Sequence, residues 1–493
     1  MEIWLGTTVQ ARSSFDFKPS PQLVRPVVRL AGEAAVAQLG FDTGHPVNVG
    51  SDNGVCFGER SSSKRFFMVR GWCRLVKDGR RMRSYQSKRA CLVAALVISA
   101  AGAASGPAQA EEGFTEALLG GKPIIDLRLR YEHVEQDGLP NNANAYTGRA
   151  RLGYETGSFY GFSALADFDL IGHVGPEDYN DSINGRTTYP VVPDAGAAEL
   201  NRLQIAYTGL PDTTVTVGRQ RIILGNARFV GNVGWRQNEQ TFDAFRVVNT
   251  SLPDTTLGYA YVNRVNRIFG ENSPAARFRG DTHLFNVDYA GPGVVTIGGY
   301  AYLLDLNEAP ALSTATYGVR LSAPFDIAEG TKLTLTGEYA HQIDRAGNPL
   351  SLDLDYYLAE ATVAHGAASL TAGYERLGSD GTTGFSTPLA TLHAFNGWAD
   401  AFLATPAAGL EDIYVAASYA LTGIPMVSKL MLGVAYHEFS SDKGGVDFGN
   451  EFDVVANFIL TSRLSFNVKY ASFDGKNGFA DRDKTWISVT YAY

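Results

Sequence analysis

Two pairs of arginines stand close together with one residue inside each pair: Arg128 and Arg130, then Arg149 and Arg151. On an extended chain, residues two apart leave from the same face. If the two segments lie side by side, four guanidinium groups stack into a basic ladder. Such a ladder can hold and select anions. Arg202, Arg264, Arg320, Lys429 and Lys469 continue the polar parity of their own segments. So do the acids Asp126, Glu132, Glu155, Asp167, Asp169, Asp288, Glu338, Glu375 and Asp453. The second use of these groups is structural, because arginines paired with acids on one face stiffen a sheet.

Catalytic patterns are missing. The chain contains no G-x-S-x-G, P-loop, H-E-x-x-H or EF-hand loop. Its histidines beyond residue 110 show no ligand spacing to one another, so neither a metal nor another cofactor is expected. Asp167-Phe-Asp169 and Asp353-Leu-Asp355 each place two carboxylates on one face. Pairing with neighbouring arginines is the expected role there, ahead of calcium binding. No serine–histidine–acid set can be assembled from the spacing, and no enzyme activity is expected.

The elements that position these groups follow from composition and periodicity. The chain has 493 residues, 45% hydrophobic and 19% charged, with 24 Tyr, 27 Phe and 5 Met. That mix favours strands over helices. Cys56, Cys73 and Cys91 are the three cysteines, so the chain beyond Cys91 has no disulfide or thiolate site. Residues 1–110 hold 15 basic and 7 acidic residues, a net of +8; the other 383 hold 27 and 44, a net of −17. An acidic body excludes nucleic acid as a partner.

A secretion signal is read at 82–110. Arg83, Lys88 and Arg89 precede an apolar run from Ala90 to about Ala104, and Ala108-Gln109-Ala110 is an A-x-A cleavage site. Translation is expected to start at Met82, with Met68 as a second candidate to Met1. Residues 1–81 then read as an over-extended, disordered start, and 111–493 as the mature body.

From Pro123 onward, strict alternation dominates. Ile125, Leu127, Leu129 and Tyr131 alternate with Asp126, Arg128, Arg130 and Glu132. About 18 such segments occur, the first at 123–135 and the last at 482–493, with a short helix expected at Phe114–Leu119. Short Gly/Pro turns, such as Thr208-Gly-Leu-Pro-Asp-Thr213, alternate with long connections at 172–197, 224–238, 269–278 and 378–409. Short turns at one end and long loops at the other describe a transmembrane antiparallel β-barrel. In lipid, every backbone polar group must be paired internally, so the sheet must close. About 18 strands leave a lumen. Tyr131, Tyr154, Tyr207, Tyr289, Tyr339, Tyr419 and Tyr493 suit aromatic girdles against outer-membrane lipid. The final strand ends on Tyr493, which resembles the recognition signal read by bacterial barrel-assembly machinery.

Arg219 and Arg221 share the apolar parity of Val215 and Val217. Facing lipid at mid-membrane would cost ~2–4 kcal/mol for one arginine. A bulge near Gly218 is therefore expected, turning both inward.

Two stretches resemble the alginate-export family of outer-membrane barrels. One is Val217-Gly-Arg-Gln-Arg-Ile-Ile-Leu-Gly-Asn-Ala-Arg-Phe-Val-Gly-Asn-Val-Gly-Trp235, followed by Gln240-Thr-Phe-Asp-Ala-Phe-Arg246. The other is Leu389-Ala-Thr-Leu-His-Ala-Phe-Asn-Gly-Trp-Ala-Asp-Ala-Phe402. The resemblance implies an 18-stranded channel for an acidic polysaccharide or, in members of unassigned cargo, small solutes. This chain departs from an Arg-lined pore in its acidic body and the mixed signs of its inner face. The Phe395, Trp398 and Asp400 segment is too apolar for a freely solvated loop. It is expected either to constrict the lumen or to cap it. The alternative function is a plugged structural or adhesion barrel that presents its extracellular loops.

Overall fold

The computed structural model describes residues 108–291 and 295–493. The expected over-extended start at 1–81, and all of the expected signal except its last three residues, lie outside the described residues. Ala108-Gln109-Ala110 opens a helix, α1 (Ala108–Leu119), which is longer than the short helix expected. Its later part meets the first short turn: Gly157 N–H donates to Ala117 O at 2.8 Å, and the Phe114 and Phe159 rings meet edge to face.

Eighteen strands follow. They are β1 (Lys122–Gln136), β2 (Ala143–Glu155), β3 (Phe162–Asp178), β4 (Ala197–Leu210), β5 (Thr213–Gln220) and β6 (Thr241–Asn249). Then come β7 (Thr255–Asn266), β8 (Arg277–Ala290), β9 (Thr296–Leu303), β10 (Thr314–Ala328), β11 (Thr331–Asp344) and β12 (Asp353–His365). The last are β13 (Ala368–Leu377), β14 (Leu410–Leu421), β15 (Lys429–Ser440), β16 (Asp447–Ile459), β17 (Leu464–Gly475) and β18 (Arg482–Ala492). Each strand pairs antiparallel with the next, and β1 pairs with β18 from Asp126↔Ala492 to Gln136↔Arg482. The sheet therefore closes, and Tyr493 N–H donates to Ile125 O at 2.8 Å.

The burial pattern is that of a soluble sheet turned inside out. On β1, Leu129 is 58% exposed while Glu132 is fully enclosed. An apolar face left bare and an ionic face enclosed suit a surround of lipid. Tyr154, Tyr289, Tyr419 and Tyr493 are exposed near the short-turn end, and Tyr339 near the other. His133 and His283 lie among outward tyrosines, stacked with Tyr131 and Tyr259 respectively.

The two-residue connections fall at one end, at 211–212, 329–330 and 366–367. The two-residue turn after β12 puts Gly366 at φ +56°, a conformation that costs glycine least. The long connections fall at the other end: 179–196, 221–240, 267–276 and 378–409. The first begins later than the sequence suggests, because β3 runs on through Gly172 and Gly175 to Asp178. An apolar core exists, but it lies inside the barrel. Phe229, Tyr356, Phe385, Trp398, Phe402 and Trp486 belong to it.

Candidate functional site

Two loops fill much of the enclosed space. The β5–β6 loop (221–240) and the β13–β14 loop (378–409) fold inward and pack on each other and on the wall. The backbone joins them where Gly231 N–H donates to Leu389 O at 2.9 Å, and Gln240 Nε2 donates to the same carbonyl at 3.0 Å.

Buried charge fixes them to the wall. Arg236 meets Glu132 at 2.7 Å, and neither side chain is exposed. Lys484 meets Asp400 at 2.6 Å. Arg228 meets Glu375 at 2.7 Å and lies 4.8 Å over the Phe395 ring. Lys469 Nζ sits 3.7 Å over Trp398 and 4.8 Å over Trp235, and lies 2.6 Å from His393 Nε2. His393 Nδ1 lies 2.9 Å from Asp400 Oδ1. Burial drives the His393 pKa well below its usual value, and Lys469, Arg236, Lys484 and Arg130 push the same way. A neutral ring then donates from Nδ1 to Asp400 and accepts from Lys469 at Nε2. Phe395, Trp398 and Asp400 thus stand inside the lumen, Phe395 against Arg228 of the other loop and Trp398 and Asp400 against the wall residues Lys469 and Lys484.

The basic ladder exists as expected on β1 and β2, with Arg128 directly opposite Arg149. Its arginines are already engaged. Arg149 meets Asp126 at 2.7 Å, and Arg151 meets both Asp169 and Glu239 at 2.7 Å. Arg202 pairs with Asp167. Arg128 donates to the carbonyls of Gly234 and Trp235 at 3.1 and 3.0 Å. Arg130 lies 4.2 Å over the Trp235 ring, with Asp194 at 4.0 Å. The ladder grips the β5–β6 loop. Glu239, in that loop, shows the same balance: burial alone would raise its pKa, and Arg151 and Arg221 outweigh it and hold the carboxyl far below its usual range.

Two face assignments are corrected. No slip in register occurs at Gly218, although its φ is +114°. Arg219 therefore stays in the cross-strand row of Leu203, an outward residue, and meets Asp243 at 2.7 Å. Arg264 joins the same row, because a bulge between Val262 and Arg264 reverses the parity of β7. It contacts Asp243 at 3.9 Å and Glu271 at 3.6 Å. Both lie where the wall is low, since β5 and β6 have only 8 and 9 residues. A cavity there is lined by Glu199, Arg219, Glu239, Arg264 and Glu271. Arg221 does aim inward, to Glu239 at 2.6 Å, but it does so by leaving the strand rather than through a bulge.

The opposite wall is different. Arg320 pairs with Glu338 at 2.5 Å and is partly exposed. Toward the short-turn end, inward hydroxyls meet across strands: Ser322 with Thr336 at 3.2 Å, Thr362 with Thr371 at 2.9 Å and Ser369 with Ser418 at 2.5 Å. Lys429 opens β15 at the same end, on the face of the buried Met431.

Sequence reasoning missed Arg228, Arg236 and Lys484, whose partners Glu375, Glu132 and Asp400 lie 84 to 147 residues away. It also missed Arg246. This residue alternates with the outward Phe245 on β6 and has no ion pair or hydrogen bond among the described residues. Strand parity could have found it, since Arg246 stands between Phe245 and Val247.

The barrel as a whole matches solved structures in fold. The fold is that of an outer-membrane porin barrel. OccK9 (OpdG) of Pseudomonas aeruginosa superposes with a TM-score of 0.59 at 15% identity, covering 76% of this chain and 99% of that one. The outer membrane protein OpdK of the same organism gives 0.58 at 15%, covering 76% and 99%. OccAB4 of Acinetobacter baumannii gives 0.58 at 14%, covering 76% and 98%. No family profile and no curated protein matches the chain in sequence.

Proposed function

We propose that this chain is a passive channel of the bacterial outer membrane, passing small polar solutes through a lumen narrowed by two of its own loops. The observation that carries this reading is the inverted barrel: a bare apolar exterior, enclosed charged groups on the inner face, and a width too great to be filled by strand side chains alone. OpdK has been solved with vanillate. A small solute fits this chain better than a thick polymer, because the β5–β6 and β13–β14 loops occupy the centre.

Export of an acidic polysaccharide of the alginate type is the finer reading that the resemblance suggests. It draws support from Arg246, but not from the ladder, whose arginines are engaged. Assembly through the β-barrel machinery, by way of the exposed Tyr493 on the closing strand, belongs to the same reading.

The test is single-channel conductance and ion selectivity of the refolded chain in planar bilayers. Conductance with little response to polyuronate supports a small-solute channel. An anion-selective pore blocked by polyuronate supports the alginate-export reading. A folded barrel without conductance overturns both readings in favour of a plugged barrel that presents its loops.

A further inference from the structure

The wall from β8 to β14 repeats one construction. Tyr300 on β9 lies directly opposite Gly318 on β10. A Cβ on Gly318 would meet the Tyr300 ring at 2.3 Å, so the ring crosses the bare backbone of its neighbour. Beyond it, the Tyr300 hydroxyl donates to Glu338 on β11 at 2.8 Å. Tyr414 on β14 does the same in mirror image. It lies opposite Gly373 on β13, where a Cβ would meet its ring at 2.2 Å, and its hydroxyl donates to Glu360 on β12 at 2.8 Å. Both tyrosines are inward and partly exposed. Each ring is thus held down against the wall; Tyr302 lies parallel to Tyr300 at 4.8 Å and His437 is stacked with Tyr414 at 5.4 Å, and each tyrosine keeps part of its surface open. The two crossed glycines are three strands apart, roughly 14 Å at ordinary strand spacing.

One platform has a cavity beside it. Between the β5–β6 loop and the wall lies a space lined by Phe229, Asn286, Asp288, Tyr300, Arg320 and Glu338. Phe229 closes one side, with its ring 5.1 Å from that of Tyr300. Planar polar groups rim the rest: Asn286 donates to Asp288 at 2.8 Å, and Arg320 holds Glu338. Two carboxylates against one guanidinium give this lining an acidic balance, which disfavours an anionic ligand.

The geometry points to a binding site for a neutral pyranoside on this wall, with Tyr300 as its stacking platform. A pyranose ring has C–H faces of low polarity and a rim of hydroxyls. The faces suit an aromatic ring, and the rim suits Asn, Asp, Arg and Glu side chains that can each pair with two hydroxyls. The cross-strand Ser and Thr pairs below the platforms extend the same chemistry toward the short-turn mouth. Tyr414 supplies a second platform along the path. An uncharged solute forms no ion pair here and is held weakly enough to leave.

This inference rests on the channel reading, and one experiment separates them. Conductance of the refolded chain without sugar reports the channel alone. Maltose is then added, and glucuronate in a parallel titration. Concentration-dependent current blockade by maltose, stronger than by glucuronate, supports the site. Tyr300→Leu should raise the half-blocking maltose concentration about tenfold, the size of one lost ring contact, and Tyr300→Phe should restore most of it. Heat-modifiable gel mobility checks that each variant is folded. A conducting barrel that maltose does not block, or that glucuronate blocks more strongly, overturns the sugar site and leaves the channel standing. If the wild type does not conduct, the channel reading fails, and maltose binding is read by saturation-transfer NMR on the barrel in detergent. Binding that Tyr300→Leu abolishes keeps the site, and no binding overturns it.

Discussion

From β1 to β4 the inner face of the barrel holds arginines against carboxylates and loop carbonyls, whereas from β8 to β14 it presents tyrosines and hydroxyls. Both regions read as polar in the sequence, and both have the same alternation. The first is nevertheless buried under the β5–β6 loop, and the second is partly open. Charge in a wall therefore does not by itself mark where a solute passes. The dense ionic side binds the β5–β6 loop most heavily; the sparser side also holds the loops, as at Glu375 with Arg228, but leaves cross-strand hydroxyls along its lower wall.

The sharpest way to break this contrast is to remove one partner of an enclosed pair. Arg236→Ala leaves Glu132 buried beside Lys484 alone, and deleting one partner of a buried pair costs ~3–5 kcal/mol. The expected outcome is a lower urea midpoint together with a larger, noisier conductance as the β5–β6 loop comes free. Unchanged conductance in a folded Arg236→Ala barrel would mean that the loops do not narrow the path. Trp398→Ala is next, removing a large enclosed ring and the cover over Lys469, at a cost of ~3–5 kcal/mol less any relaxation. Here a gain in conductance through a looser β13–β14 loop is expected in the same recording.

Acid should act on the same side. Because the folded-state pKa of His393 is depressed, the stability tied to its neutral form is present above the ordinary histidine pKa and is lost as pH falls below it. Conductance is expected to rise below about pH 6, and His393→Asn should flatten that rise. A pH-independent wild type would place the latch elsewhere.

At Arg246 on β6, between the two walls, substitution should change selectivity rather than stability. Arg246→Ala, which breaks no ion pair among the described residues, should shift reversal potential toward cations with a melting change under about 1 kcal/mol. A large loss of stability instead would show that Arg246 bears on folding rather than on selectivity.

Strand number and facing were legible because both depend on a local pattern, as Ile125 to Glu132 shows in eight residues. Arg264 was misread because a bulge after Val262 leaves no mark in the alternation. For Arg219 the error was different: its partner Asp243, which makes an outward place tolerable near the rim, belongs to the next strand. The interior was harder still. Nothing near Arg236 names Glu132, and nothing near Tyr300 says that its cross-strand neighbour is a glycine. Such facts depend on register, and register belongs to the whole sheet. The apolar residues Phe395, Trp398 and Phe402 did point to a buried loop, but not to the lysines and acids that receive it.

Closure through β1 and β18 also governs how the molecule can come into being. The pairs Asp126↔Ala492 and Gln136↔Arg482 join segments at opposite extremes of the described chain. Until they meet, the sheet has two unpaired edges, each able to pair with another chain. That contact has the highest loop-closure entropy in the barrel and comes last by sequence order. The slow, hazardous moment of biogenesis is thus the joining of the seam, and mutations along β1 or β18 should be felt as aggregation before they are felt as altered transport.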